Sequence, residues 1–284
     1  MIGSDWMAVD PIIREGTAGR VVMALTVQVP DWSGRDYAEV SALQRTMITE
    51  AMAALSFSPD ERVLDIGCGD GFLTRAIADL VPRGGVVGVD ASRRMIATAH
   101  DATVPKASGP WFVVADARRL PFAACFDAAV SFNALHWVPQ QDEALAQLAA
   151  VVKPGGRMTI QMVCAGGRQS LESTAMEVCR SPSWADRFEG FVAPFNHVEP
   201  NHFRDLAASA GLAVANVTVA DREWDFGSRE AFERWCAVGS TAWTDRLPES
   251  QRSRFVSDEV DAYAPIAGRP GLFRFTQMRA ELRR

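Results

Sequence analysis

The sequence predicts a doubly wound α/β fold built on a mostly parallel sheet, and three observations predict it. Short apolar runs recur along the chain with helical stretches between them. The first of these runs, VLDI at 63–66, ends in a glycine-rich turn. Asp65, Asp90 and Asp116 then stand at the ends of three successive runs. Strands that are apolar on both faces belong in parallel sheets covered by helices on each side, with ligands bound beyond the strands' carboxyl ends.

Taken in order, residues 1–35 carry weak periodicity and several Gly and Pro, and read as an N-terminal arm with one candidate strand at 21–29. From Tyr37 the apolar positions 37, 40, 43, 47, 48, 51, 52 and 55 recur at helical spacing, predicting an amphipathic helix over 36–55. FLTRAIADL (72–80) repeats that stripe after the first strand. GVVGVD (85–90) is a second strand, and Ser92 is a natural N-cap for the helix behind it. WFVVA (111–115), FDAAVSF (126–132) and RMTIQMV (157–163) are three more. The helix over 139–152 stops at KPGG (153–156).

Beyond residue 165 the texture changes. A helical segment begins in GRQSLESTAMEVCRSPSW, followed by the Pro-punctuated, aromatic FEGFVAPFNHVEP. Asn201 is the expected cap of a short helix closing at Gly211, and LAVANVTVA (212–220) is a sixth strand. Two helices are expected over 228–263, starting at Ser228 and at Leu247–Pro248. LFRFTQMRAEL (272–282) alternates as a strand should. The domain reading is therefore an arm over 1–35 and one domain over 36–284. Its ligand-binding core covers 36–165, with a helical, aromatic-rich cover over 166–200 and 223–270.

Composition narrows the function classes. The 284 residues carry 29 Lys and Arg against 35 Asp and Glu, a formal net charge of −6 without a polybasic run. That disfavours nucleic acid or an anionic membrane as partner. The apolar stretch VVMALTVQV (21–29) is far shorter than the ~20 residues of a membrane span. Acids near the N-terminus stand where a signal peptide carries positive charge, so the expected location is the cytoplasm. The five cysteines are scattered without CxxC spacing and read as reduced, mostly buried residues rather than a disulfide or zinc framework. No His and carboxylate set has metal-ligand spacing, so no metal is expected. Eight Trp against two Tyr is the unusual number.

The chemistry sits in VLDIGCGDGFLTRAIA (63–78), where Gly67, Gly69 and Gly71 join a strand to a helix. Glycine is required where a turn is tight and a ligand lies against bare backbone. Asp90 follows Gly67 by about 20 residues, the place where a nucleoside-binding α/β fold puts the carboxylate for the ribose hydroxyls. Asp116, one strand further on, can accept from an adenine amino group. The alternative is that the three acids only end strands or cap helices.

DIGCGDG (65–71), GVDAS (88–92), ADARRLPF (115–122), FDAAVSFNALHWV (126–138) and LAAVVKPGGRM (148–158) together resemble the class I S-adenosylmethionine-dependent methyltransferases over roughly 36–165. The lead-in helix and NALHWV are more similar to the branch containing trans-aconitate, malonyl-carrier-protein and juvenile-hormone-acid methyltransferases. The resemblance implies a seven-stranded Rossmann-like sheet whose last strand is antiparallel and lies beside the sixth. It implies S-adenosyl-L-methionine as cofactor, with Gly67, Gly69 and Gly71 under its methionine and ribose. Asp65 would reach the methionine amino group, Asp90 the ribose diol, and Ala91 and Met95 would flank the adenine. Asp116 and the Ala117 backbone would read the adenine edge, and Asn133 would lie near the transferring methyl.

The implied partner is a small-molecule acceptor, methylated on an oxygen, with carbon and nitrogen as the alternatives. His136 follows the fourth strand at the ligand edge and is the candidate base; otherwise it bonds locally or recognises a carboxylate. Tyr37 is the candidate gate on the lead-in helix, and Gln44 reads as polar surface. His197 can reach the pocket from the cover, whereas His100 and His202 read as surface residues. Arg168, Arg180 and Arg222 are candidate partners for an acceptor carboxylate. The rings Trp184, Phe188, Phe191, Phe195, Trp224, Phe232, Trp235 and Trp243 point to an apolar or aromatic acceptor.

Overall fold

The structure is a computed structural model, which describes residues 42–104 and 109–284. Tyr37, the candidate strand at 21–29, the arm and the start of the lead-in helix lie outside the described residues. The helix itself is described as α1, Ala42–Met52.

Strand and helix then alternate: β1 Arg62–Ile66, α2 Phe72–Leu80, β2 Gly85–Asp90, α3 Arg93–Asp101, β3 Trp111–Val114 and β4 Phe126–Phe132. A 3-10 turn, Leu135–Trp137, leads to α4 Gln141–Val151 and β5 Val152–Val163. The remaining elements are α5 Leu171–Arg180, a second 3-10 turn Ala185–Arg187, α6 Pro200–Ser209, β6 Ala213–Asp225, α7 Arg229–Gly239, α8 Thr241–Thr244, α9 Glu249–Ala267 and β7 Leu272–Arg283. The seven strands form one sheet in the order β3-β2-β1-β4-β5-β7-β6, with β1 to β5 parallel and β7 antiparallel to both neighbours.

Side chains alternate between the two faces of the sheet. Leu64, Ile66, Val87, Val89 and Ala129 join Leu145 and Leu148 of α4 and Phe203 of α6. Val63, Val86, Ala128 and Val130 join Ala51 of α1 and Leu73 and Ile77 of α2. Burial of this kind on both faces is the source of the continuous apolar runs in the sequence.

Several local expectations change. Asn201 does not cap α6; Glu199 precedes the helix without a side-chain cap, and Pro200 takes the first turn, where its missing N–H costs nothing. Ala115 falls just outside β3. KPGG ends α4 as expected but sits inside β5: Phe126 pairs with Val152 and Ala128 with Arg157, so the four residues between loop out of the ladder. The segment after Ser228 contains a short third helix, α8, between the two expected.

The reversal of β7 positions the site. Val163, the last residue of β5, pairs with Gln277. The β6–β7 ladder continues past that point to Asp225 and Leu272. This overhang carries Phe273 and Phe275 beyond the carboxyl edge of the parallel strands. There they pack with Leu43 and Met47 of α1, Phe232 and Cys236 of α7, and Val256, Val260 and Tyr263 of α9. A second cover cluster joins Trp184, Phe188, Trp243 and Phe255. Tyr263 Oη ties cover to sheet by donating to the Arg274 carbonyl at 2.6 Å.

Inside the cover, Glu259 is 1 % exposed and accepts a hydrogen bond from Ser240 at 2.8 Å. Burial pushes its carboxyl up to about 8, with the nearby Glu172 adding to the rise and Ser240 opposing it. Since the folded value lies above the ordinary 4.5, the unfolded chain gives up this proton first. The contribution to stability is complete below pH 4.5 and is lost as pH rises toward 8. Glu259→Gln, neutral at every pH, is expected to gain on the wild type by up to about 1.4 kcal/mol per pH unit across that window. Urea unfolding of both proteins at pH 4.5, 6 and 8 measures the gain.

Candidate functional site

The turn between β1 and α2 is fixed by β2. The backbone N–H groups of Gly67 and Cys68 both donate to the Val89 carbonyl, at 2.8 and 3.0 Å. The N–H of Gly69 donates to Asp90 Oδ2 at 3.0 Å, and Ser92 N–H donates to Asp90 Oδ1 at 2.8 Å. Gly67, at φ 70°, comes so close to the loop after β4 that an added Cβ would lie 2.1 Å from Ala134 Cβ. Gly69, at φ 54°, has nothing within 4 Å of such a carbon, because its backbone faces an open cavity.

That cavity lies at the carboxyl ends of the strands. At one end it is lined by Gly67, Gly69, Asp90, Ala91, Met95, Asp116, Ala117 and Arg118. Asn133, Leu135, His136, Trp137 and Val138 form the middle. At the other end stand Leu43, Gln44 and Met47 of α1, Val163, Glu172, Pro194, Trp235, Gly239, Phe273 and Phe275. Asp65 and Gly71 are not among the lining residues. Asp65 is buried behind the turn, where its Oδ2 accepts from Thr74 Oγ1 at 2.6 Å. Burial, reinforced by Asp90 and opposed by Thr74, pushes its carboxyl up to about 7. Gly71 packs under the turn, where a Cβ would meet the Phe112 ring at 2.7 Å.

Asp116 is engaged by Arg118, whose Nη2 donates at 2.6 Å and whose Nε donates to both carboxylate oxygens. Burial works against the charge, but these bonds hold the carboxyl below its usual range. The remaining Arg118 nitrogen, Nη1, donates to Gln140 at 2.6 Å.

Asn133 follows β4 in the left-handed region, φ 56°, a conformation that Asn adopts more readily than most residues. Both atoms of its amide are buried without a hydrogen-bond partner. A buried amide with neither partner is costly, and here it borders the cavity.

His136 is 4 % exposed, and its Nδ1 has no partner. Burial, aided by the neighbouring His197, holds its imidazole well below the ordinary 6.5. The two rings lie 6.0 Å apart between centroids, and burial lowers His197 as well, with Glu172 opposing. His197 Nε2 stands 3.8 Å from Glu172 Oε2. The loop that carries His197 is latched to the 3-10 turn: Asn196 N–H donates to the His136 carbonyl at 2.8 Å, and Gln141 Nε2 donates to the carbonyls of Leu135 and Asn196.

The sequence-predicted residues Gly67, Gly69, Asp90, Ala91, Met95, Asp116, Ala117, Asn133 and His136 thus line one cavity, and Tyr37 lies outside the described residues. Gln44 is not polar surface: it lines the cavity and accepts from Trp235 Nε1 at 3.4 Å. None of the three candidate arginines reaches it. Arg168 stands near Asp221, Arg222 pairs with Glu50, and Arg180 is exposed. Half of the eight rings singled out from the cover, Trp184, Phe188, Phe232 and Trp243, are buried core, and Trp235 is the one of the eight that lines the cavity. Glu172, Phe273 and Phe275 were not anticipated. Alternation along 272–282 put Phe273 and Phe275 on one face, but only the overhang of β7 shows which.

Residues 63–156 match a family model described as a methyltransferase domain. The chain is 27% identical to a trans-aconitate 2-methyltransferase of Variovorax paradoxus over 83% of this chain and 91% of that protein. The YcgJ protein of Bacillus subtilis shares the fold, with a TM-score of 0.61 at 19% identity over 84% of this chain and 98% of that one. A Haemonchus contortus phosphoethanolamine N-methyltransferase in complex with S-adenosyl-L-methionine superposes at a TM-score of 0.55 and 18% identity, over 88% of this chain and 56% of that one.

Two buried, neutral histidines make a pH prediction. Below 6.5 the unfolded chain takes up protons that the folded chain refuses, so this contribution is complete above pH 6.5 and is lost as pH falls. Each histidine is expected to remove up to about 1.4 kcal/mol per pH unit below that value. Chemical unfolding at pH 7 and pH 5 should show a smaller loss in His136→Phe than in the wild type.

Proposed function

Because the chain belongs to the class I S-adenosylmethionine-dependent methyltransferases, its chemistry is methyl transfer, and we propose that the acceptor is a hydroxyl oxygen of a small, apolar or aromatic molecule. The observation that supports this most is the character of the cavity's far end. Apolar side chains and rings surround two polar groups there, Gln44 and Glu172, with His136 bordering them from the middle of the cavity. Among the described lining residues the one cationic side chain is Arg118, already spent on Asp116 and Gln140. The trans-aconitate relatives suggest a carboxylate acceptor, but such an acid would find no free counter-charge among the described lining residues. A neutral hydroxyl needs none.

The residues fit the cofactor. Gly69 offers open backbone, and the unpartnered Asn133 amide has a donor and an acceptor waiting at the middle of the cavity. In this reading Asp90 takes the ribose hydroxyls beside Ala91 and Met95. Ala117 and the Arg118-bound Asp116 meet the adenine edge, and Gly67 and Gly69 underlie the methionine and ribose. The assignment of Asp65 to the methionine amino group rests on the resemblance, since its carboxyl lies behind the turn. When bound, the cofactor supplies an electrophilic methyl on a sulfonium.

The protein's own contribution is alignment and proton handling. Orienting an oxygen in line with the methyl can remove about 7–11 kcal/mol of barrier. As a hydroxyl oxygen gains the methyl it becomes a strong acid. His136, neutral and with its lone pair free at pH 7, takes the proton. Its low basicity suffices because the proton leaves an oxygen that is becoming positively charged.

Two outcomes are expected. Screening labelled-methyl incorporation across phenols, alcohols and carboxylic acids should label a hydroxyl; labelling confined to carboxylic acids would replace the hydroxyl reading. His136→Ala should lower kcat by about 10²–10⁴-fold with both substrates saturating, and an unchanged kcat removes His136 as the base. Separately, Asn133→Gly relieves a left-handed backbone, so it should keep or raise stability by up to about 1 kcal/mol. The same change should weaken S-adenosylhomocysteine binding by tenfold or more in calorimetry, about the value of one or two hydrogen bonds.

A further inference from the structure

Glu172 occupies a position that neither the cofactor nor the base accounts for. It is the second residue of α5, a helix that Ser170 caps by accepting from Ser173 N–H at 3.0 Å. An acid in a first turn usually stands in solvent and answers the positive end of the helix. Glu172 instead is 7 % exposed and lines the cavity, and its Oε2 accepts no hydrogen bond. His197, at 3.8 Å, is beyond hydrogen-bond reach, and burial keeps its imidazole neutral. The other acid close by, Glu259, bonds to Ser240 behind the wall and is held protonated at neutral pH. Cys236 and Tyr263, which also feel Glu172, are buried and apolar in character, with Tyr263 committed to Arg274. Of these groups Glu172 is the one that lines the cavity with an unpartnered buried oxygen.

A buried carboxyl oxygen without a hydrogen bond costs the fold unless a ligand completes it. The same cavity end carries the rings of Trp235, Phe273 and Phe275. Carboxylate and aromatic faces together are the chemistry that receives an ammonium group. We propose that Glu172 selects the acceptor by anchoring a cationic amine on it, at a distance from the oxygen that is methylated. The anchor relies on the reading above for which end of the cavity holds the acceptor. Glu172 then determines which hydroxyl compound is taken, while His136 serves the transfer itself.

Matched probes test the anchor by binding alone. Tyramine and 4-ethylphenol share a phenol and differ by one ammonium; serotonin and 3-ethyl-5-hydroxyindole form a second such pair. Calorimetry is run on protein saturated with S-adenosylhomocysteine. In at least one pair the wild type is expected to favour the amine by about ten- to a hundredfold, the value of a charge-assisted hydrogen bond. In Glu172→Gln that ratio should fall to within about threefold of unity, with affinity for the neutral partner kept. A packing role for Glu172 would weaken both partners equally and leave the ratio untouched. No amine preference in either pair overturns the proposal, and so does a preference that survives Glu172→Gln. If that variant fails to fold, N-acetyltyramine against the wild type decides: binding as tight as tyramine's overturns the anchor. Failure of the hydroxyl reading shows differently, as methyl label on nitrogen or on a carboxylate while the amine preference persists.

Discussion

Three backbone N–H groups of the β1–α2 turn are held by the end of β2, two by the Val89 carbonyl and one by the Asp90 carboxylate. Most of the site follows from that capture. It keeps the Gly69 backbone bare toward the cavity and aims Asp90, whose other oxygen is fixed by Ser92 N–H. It also presses Gly67 against Ala134, which sets where the chain can leave β4. Asn133 takes its left-handed turn at that exit, and its amide is left to a ligand. Strain and an unmet hydrogen-bonding amide persist at one residue because the surrounding parallel strands leave the loop no other course.

The second constraint is the reversal of β7. In a wholly parallel sheet every strand would end at the carboxyl edge, and the far wall would be made of loops. An antiparallel β7 arrives from the cover helices and enters the sheet at that edge, with Phe273 and Phe275 still beyond the end of β5. A rigid ladder therefore builds the far wall of the cavity. Helices α7 and α9, which lead into it, pack on the same rings, so the wall and its backing form one cluster.

The glycine-turn half of the site was legible because it is local. Asp65 to Gly71, Asp90 and Asp116 each sit at a strand end defined by its own apolar run, and one parallel sheet brings strand ends together. The far half depends on long-range geometry. Trp235, Phe232 and Trp243 have the same helical spacing and composition in the sequence, yet one faces the cavity and two face the core. Gln44 looked like surface because its partner, Trp235, lies far along the chain. Glu172 was hidden for a related reason: an acid two residues into a helix has an ordinary local explanation, and only burial removes it. The Asn201 cap failed on a competing local signal, since Pro200 was the stronger marker for a first helical position.

The buried ionisable groups show a consistent pattern. Burial drives Asp65 up to about 7 and Glu259 up to about 8, and it keeps both His136 and His197 neutral. Arg118 is matched by Asp116. What remains on the cavity's polar surface includes acidic side chains at both ends, Asp70 and Asp90 near the glycine turn and Glu172 near the rings. Placing a further anion between them would add repulsion in a region where little water screens it. A cavity so arranged discriminates by charge before it discriminates by shape: it repels polyacids, tolerates neutral molecules, and gains most from a molecule whose positive end reaches the rings.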